Sequence, residues 1–468
     1  MKYVSTRGEA PVLDFEDVLL AGLARDGGLY LPESWPSIDS KTIGSFAGRP
    51  FPEIAVEIIA PFVGNSIGRD ELLQMARRAY SSFGHPAVTP IVQTDTNLFI
   101  LELFHGPTLA FKDVAMQILA QLMDHVLAKR GERATIVGAT SGDTGGAAIE
   151  AFRGLDRVDV VILFPDGRVS DVQRRMMTTP VDKNVHALAI KGTFDDCQAL
   201  VKGMFNDLRF RDRVRLSGVN SINWARIVAQ VTYYFAAGAA LGAPSRRLSF
   251  AVPTGNFGDI FAGFVAKKMG LSIDRLVIAS NANDILPRAM ETGTYATHEV
   301  VATTSPSMDI QVSSNFERAL FEASGRDAGM VRAQMGSLAQ SGRFALGPAH
   351  AALKETFDAV RATERDVAAT IRNTLERSGY LADPHTACGI FGAEQVLDRR
   401  SAAGVVLATA HPAKFPDAMA EITGRRPGLP PRLDRLMGDP ENYDVADNDL
   451  GAVQRYVEGK ARAVSGGA

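Results

Sequence analysis

Lys112 lies in the run His105-Gly106-Pro107-Thr108-Leu109-Ala110-Phe111-Lys112-Asp113, where an amine meets the start of a helix. A cation is disfavoured near a helix N-terminus by roughly 0.3–1 kcal/mol, because the aligned peptide dipoles already place positive charge there. The same field lowers an ammonium pKa and makes the amine a better nucleophile or Schiff-base former. The plainer alternative is a solvated lysine. Two further stretches mix glycines with small polar residues. One is Gly138-Ala139-Thr140-Ser141-Gly142-Asp143-Thr144-Gly145-Gly146, and the other is Pro253-Thr254-Gly255-Asn256-Phe257-Gly258-Asp259. Free N–H groups at a helix start can cradle a phosphate or carboxylate, and glycine lets the anion approach the main chain. Either stretch alone also reads as a tight strand-to-helix turn. A reactive amine with two anion cradles suits a cofactor bearing an aldehyde and a phosphate, and a substrate bearing a carboxylate or a second phosphate.

The elements that must place these groups are written in the hydrophobic pattern. Leu98 to Phe104 reads as a strand, ended by the turn chemistry of Gly106-Pro107. Val114, Ile118, Leu122 and Val126 form one i+4 row and Ala115, Leu119, Met123 and Leu127 another, so the helix opened by Lys112 buries a broad stripe. Apolar strands at 134–137 and 248–252 feed the two glycine stretches. Further strands at 158–164, 185–190, 275–280 and 404–409 alternate with helices, which implies α/β architecture with open parallel sheets. Ligands in such folds bind beyond the carboxyl ends of the strands, where both glycine stretches and Thr409 fall. Residues 1–85 read as a small leading domain, 86–245 as an α/β region bearing Lys112 and the first glycine stretch, and 246–468 as a second α/β region with its own sheet. A tail after about Glu458 is expected to lack structure. Met176-Met177 and Tyr233-Tyr234-Phe235 read as core.

Composition narrows the classes. The 468 residues carry 50 basic and 53 acidic side chains, a net charge of -3, so no bulk field favours nucleic acid. Two cysteines, Cys197 and Cys388, are too few for a disulfide framework or a CxxC metal site and fit a reduced cytoplasm. The eight histidines lack ligand spacing, so no metal is expected. The N-terminus has charges where a signal peptide needs an apolar core, and the apolar stretch Ile227 to Leu241 is too short for a membrane span and contains Gln230.

The chain resembles the threonine synthase family, pyridoxal-phosphate enzymes of the tryptophan-synthase-like fold, in its longer bacterial and fungal form. The resemblance runs from Tyr3-Val4-Ser5-Thr6-Arg7-Gly8 through His85-Pro86, the lysine run, both glycine stretches and Asn220-Ser221-Ile222-Asn223-Trp224-Ala225-Arg226. It continues through Ser305-Pro306-Ser307-Met308-Asp309 and Asp383-Pro384-His385 to Thr409-Ala410-His411-Pro412-Ala413-Lys414. It implies two α/β domains with pyridoxal 5'-phosphate between them, carried on Lys112. Gly255, Asn256, Phe257 and Asp259 would surround the cofactor phosphate, and Thr409 would face the pyridine nitrogen. Thr140, Ser141, Asp143 and Thr144 would take the substrate carboxylate, and Ser221, Asn223, Arg226 and Lys414 its phosphate, with an interdomain salt bridge as the alternative for Arg226. His105 could contact cofactor or substrate, whereas His385 and His411 read as structural. The implied substrate is the small molecule O-phospho-L-homoserine, converted with water into L-threonine and phosphate by a monomer or homodimer in the cytoplasm. A phospho-lyase releasing 2-oxobutyrate or a dehydratase are rivals with the same cofactor. A nucleotide-binding protein is the rival from another class; it would need a GxGxxG or GxxxxGK[ST] stretch after the first strand, and this chain has neither.

Overall fold

The computed structural model describes residues 1–464. Its strands, in chain order, are β1 (Lys2–Ser5), β2 (Leu13–Asp14), β3 (Tyr30–Pro32), β4 (Ile91–Asp95), β5 (Leu98–Glu102), β6 (Ala134–Ala139), β7 (Val158–Pro165) and β8 (Val185–Lys191). They continue as β9 (Leu216–Ser217), β10 (Leu248–Pro253), β11 (Ile273–Ser280), β12 (Thr294–Ala296), β13 (Arg343–Ala345), β14 (Phe357–Arg361), β15 (Ala403–Ala408) and β16 (Asp444–Asp447). One sheet has the order β14-β11-β10-β15-β5-β4 and a second the order β16-β8-β7-β6-β9. Both are parallel apart from the antiparallel β4–β5 pair. The α/β class and the parallel sheets inferred from sequence are therefore present. A small antiparallel sheet, β2-β1-β3, belongs to the leading segment, and β12 pairs with β13.

The sheets do not divide at residue 245. β5, just before the lysine run, pairs along β15 from Leu98↔Gly404 to Glu102↔Ala408, so it joins the strands after 246. β16 crosses the other way to pair with β8. Such long-range partners leave no mark in local periodicity, which reports a strand but not its neighbour. The pairing has a direct use, because it brings the end of the lysine run beside Thr409: Phe111 N–H donates to Thr409 O at 2.9 Å.

The helix Lys112–Arg130 buries both rows expected of it. The helix Trp224–Leu241 is buried almost throughout, as a core helix should be, and among the described residues no helix is long and apolar enough to cross a membrane. A helix spans Leu450–Lys460 with Val453 and Val457 buried, and residues 461–464 beyond it have no regular structure, close to where the tail was expected to begin; Arg462 is nonetheless tied to the buried Asp159 through Nε at 2.6 Å. Two valines at i and i+4 in a polar stretch are a weak periodic signal, and the Asp159 partner is some 300 residues away. Residues 465–468 lie outside the described part.

Candidate active site

Lys112 emerges where a short loop is drawn tight by its own neighbour. Asp113 is fully buried and accepts from Thr108 N at 2.8 Å and Thr108 Oγ1 at 2.6 Å, which folds Gly106–Phe111 back over the helix start. Burial nonetheless pushes the Asp113 carboxyl up to about 6. The Lys112 amine points away from this knot, 3.3 Å from Asp143 Oδ2 and 3.3 Å from Ser307 Oγ. Burial lowers its pKa, and Lys414 and Arg226 add to that effect against the opposing Asp143. A lowered amine pKa is what a nucleophile and proton carrier requires.

Asp143 opens the helix Asp143–Phe152 beyond β6 and gathers more than one lysine. Its Oδ1 lies 2.5 Å from Lys414 Nζ and accepts from Gln173 Nε2 at 2.8 Å, and its Oδ2 accepts from Ser307 Oγ at 3.2 Å. Burial alone would raise this carboxyl, yet Lys414 and Lys112 together hold it well below the usual carboxylate range. Lys414 is fully buried and also donates to Thr108 O at 2.9 Å. Thr140 Oγ1 accepts from Gly142 N at 2.9 Å and Gly145 N at 3.0 Å, shaping the loop around the glycines. Gly142 has φ 148°, and a Cβ there would sit 2.5 Å from Gln173, so the turn needs glycine. Ser141 in the loop and Thr144 in the first turn of the helix are more accessible than the buried Thr140. Asp143 itself faces cations, so it does not receive a carboxylate directly. That corrects one detail of the expected substrate loop.

The second glycine stretch joins β10 to the helix Gly258–Lys268. Phe257 sits at φ 62° and turns the chain into the helix. A Cβ on Gly255 would lie 2.9 Å from Ser307 O, so this loop and the Ser307 loop touch through main chain. The first-turn N–H groups at 258–260 have no acceptor within their own helix. The Asp259 carboxylate turns inward, where Tyr233 and Tyr234 hydroxyls donate to Oδ1, the latter at 3.3 Å. Only the main chain of Asp259 therefore borders the loop. Asn256 Oδ1 accepts from Ser314 Oγ at 3.3 Å, and Ser314 in turn reaches Ser221 Oγ at 3.5 Å.

Arg226 is buried and donates from Nη1 to Val219 O at 2.9 Å, while its Nε has no partner. Among the described residues no carboxylate pairs with it, so the salt-bridge alternative is not what the structure contains. Burial brings its pKa down to about 10. Asn223 departs from its expected part as a ligand group. Its Oδ1 caps the Trp224–Leu241 helix by accepting from Ala225 N at 3.0 Å, and its Nδ2 donates to Leu19 O at 2.9 Å. A short Asn-x-x-Arg spacing can serve ligand or cap equally, and here the cap wins.

Ser307 stands in a motif of the sequence without an expected task, and Gln173 and Asn315 carry no sequence signal. Ser307 sits in a single 3-10 turn, Pro306–Met308, and Asn315 just before the helix Phe316–Ala323, where no periodicity singles out a residue. Gln173 lies on a short helix whose polar face looks ordinary. His385 Nδ1 bonds Asp383 Oδ2 at 2.7 Å and its Nε2 accepts from Ser307 N at 3.2 Å, so it supports the loop facing Lys112. His105 bonds Glu102 Oε2 at 2.7 Å on a cavity of about 480 Å³ that it shares with His411 and Arg432. Among the described residues no group of three or more His, Cys, Asp and Glu side chains could hold a metal ion.

A buried amine, a main-chain cradle closed by Gly255 and free first-turn N–H groups fit a cofactor with an aldehyde and a phosphate. Comparison with known proteins points the same way. A family model described as threonine synthase N terminus matches residues 2–80, one described as pyridoxal-phosphate dependent enzyme matches 83–354, and one described as threonine synthase, C-terminal, matches 386–457. A threonine synthase from Pseudomonas aeruginosa is 49% identical over 459 residues, covering 98% of both chains. The crystal structure of a pyridoxal-phosphate-bound threonine synthase from Brucella melitensis is 60% identical, with a TM-score of 0.96 over 99% of this chain and 100% of that one. The yeast threonine synthase structure gives a TM-score of 0.93 at 38% identity over 98% of each chain.

Proposed function

This chain belongs to the threonine synthase family, and we infer from its site that it converts O-phospho-L-homoserine and water into L-threonine and phosphate. The observation that carries the reading is the Lys112 amine, buried between two anion loops with its charge disfavoured by burial. Pyridoxal 5'-phosphate, when bound, supplies an aldehyde that takes up amines and a ring that withdraws electrons from the adjoining carbons. Lys112 would carry it, the main chain of Gly255, Phe257 and Asp259 with Asn256 would surround its phosphate, and Thr409 would face its ring nitrogen. A threonine hydroxyl is a weak proton donor, so that nitrogen stays largely unprotonated.

Thr140, Ser141 and Thr144 line the loop suited to the amino-acid carboxylate. Arg226, with its free Nε, and Ser221 are suited to the substrate phosphate, and Asn223 aims Arg226 by fixing the helix start. Lys414 stands at the opposite flank, where Asp143 balances its charge. In the reaction Lys112 takes a proton from Cα, hands it on and, as the free amine again, takes one from Cβ, and the Cγ–O bond breaks with its electron pair leaving on phosphate. Protons return at Cγ and Cα, the oxygen of water bonds to Cβ, and the spare proton of that water balances the one the departed phosphate takes up. One mobile amine serves every transfer because these carbons are adjacent. Asp143 and Ser307, both within hydrogen-bond reach of the amine, hold it when it is free.

Product analysis tests the reading. Cofactor-loaded protein incubated with O-phospho-L-homoserine should release threonine and phosphate in equal amounts. Phosphate accompanied mainly by 2-oxobutyrate would make the protein a phospho-lyase, and neither product would rule out this substrate.

A further inference from the structure

Arg318 is fully buried and, among the described residues, has no carboxylate partner. Its guanidinium is satisfied by main chain instead. Nε and Nη2 donate to Tyr30 O at 3.0 and 2.8 Å, Nη2 also reaches Ile222 O at 2.7 Å, and Nη1 donates to Asn315 Oδ1. Its face lies over the Trp224 ring, with Cζ 5.5 Å from the centroid. Asn315 passes the connection on, since its Nδ2 donates to Ser221 O at 3.1 Å and to Asn256 O at 3.0 Å. Its own N–H also donates to Asn256 O at 3.0 Å.

Three parts of the chain thus meet at one guanidinium and one amide. Tyr30 is in β3 of the leading sheet, Ser221 and Ile222 precede the Trp224 helix, and Asn256 lies between β10 and the Gly258 helix. Glu317, in the same turn as Arg318, accepts from Thr6 Oγ1 at 2.6 Å and from Arg7 Nη2 at 3.0 Å, so the leading segment is gripped twice at this point. An unpaired buried guanidinium is costly to keep, and only its planar fork of donors spans several carbonyls at once. Such a group stays useful where loops must be set before a charged ligand arrives, because preorganised donors need no rearrangement on binding.

We propose that Arg318 and Asn315 are positioning residues through which the leading sheet sets the spacing of the two loops that receive phosphate groups, Ser221 to Arg226 and Gly255 to Phe257. This rests on the assignment of those loops to the cofactor and substrate phosphates. The leading segment then acts on the site without touching a ligand.

The test compares Asn315→Ser and Arg318→Lys with the parent protein. Three quantities are measured: the dissociation constant for pyridoxal 5'-phosphate by absorbance titration of cofactor-stripped protein, KM for O-phospho-L-homoserine, and the melting temperature. Loss of the Asn315 donor should raise both the dissociation constant and KM by about tenfold or more, with kcat at saturation changed far less. Arg318→Lys should fall between the two. A lower melting temperature with dissociation constant and KM within about twofold of the parent means a purely structural role and overturns the proposal. Either variant decides alone if the other fails to fold. Arg226→Gln is measured in parallel. A raised KM there beside unchanged Asn315→Ser values sinks the positioning role only, whereas an unchanged KM there removes the substrate-phosphate assignment and leaves the cofactor titration to decide.

Discussion

Lys414 Nζ lies 2.5 Å from Asp143 Oδ1, and the other oxygen of that carboxylate is 3.3 Å from Lys112 Nζ. Two buried cations thus share one anion, and the reactive amine holds the looser half. This division fits their tasks: Lys414 is fixed by a short contact and by Thr108 O, while Lys112 must leave its carboxylate to work.

Asp143→Asn should therefore act on Lys112 as well as on the fold. The carboxylate favours the charged amine, so its removal lowers the Lys112 pKa further. In cofactor-stripped protein, the midpoint for amine-reagent labelling of Lys112, read by peptide mass spectrometry, should move to lower pH. Breaking the buried pair should also cost about 3–5 kcal/mol of stability in denaturant titration. An unmoved midpoint would show that Asp143 does not govern this amine.

Lys112→Ala should abolish the visible absorption of bound cofactor and reduce turnover by at least about 1,000-fold, since the neighbouring Lys414 amine is held by Asp143 and Thr108 O. Absorbance and threonine release read both. Full activity in this variant would falsify the assignment of the proton carrier.

Asp259 gives a pH signature. Burial lifts its carboxyl to about 7, with the Tyr233 and Tyr234 bonds only partly opposing, against an ordinary value of 3.8. The folded state then holds a proton that the unfolded state has released, so this group's stabilising effect is full below about pH 4 and fades as pH rises to about 7. Asp259→Asn should flatten that part of the stability profile by up to about 4 kcal/mol. Parallel denaturant series at several pH values measure it, and identical slopes would mean that Asp259 is ionised in the fold.

Arg462→Ala should remove the side-chain bond to Asp159 and lower stability by about 2 kcal/mol, leaving KM unchanged. A change in KM would show that the C-terminal latch reaches the site.

Much of this site could be read from the chain because its groups follow strands. Lys112, Thr140, Asn256 and Thr409 each follow an apolar run, and that position alone places them beyond the carboxyl ends of parallel strands, Thr140 on one sheet and the other three on the second. Partnership was harder to see. Nothing near Asp143 indicates that it faces Lys414, some 270 residues on, and nothing near Asn223 says that its amide closes on Leu19 O. Ser307 stands in a single 3-10 turn and Asn315 just before a helix, so only the finished fold gives them neighbours. The division of strands between sheets escaped for the same reason, since β5 looks no different whether its partner is β6 or β15.

The position of β15 has a consequence for how the protein is made. This strand is made some 300 residues after β5, yet it lies between β10 and β5 and joins them. Until residue 403 has been synthesised, β5 has only β4 beside it and β10 has only β11, each with a bare apolar edge. Lys112 is then present in the nascent chain without the strand that fixes its loop. The Lys112 loop is therefore fixed only after residue 408 has been made, and the long wait with two open sheet edges is the interval in which this chain is most exposed to mispairing and aggregation.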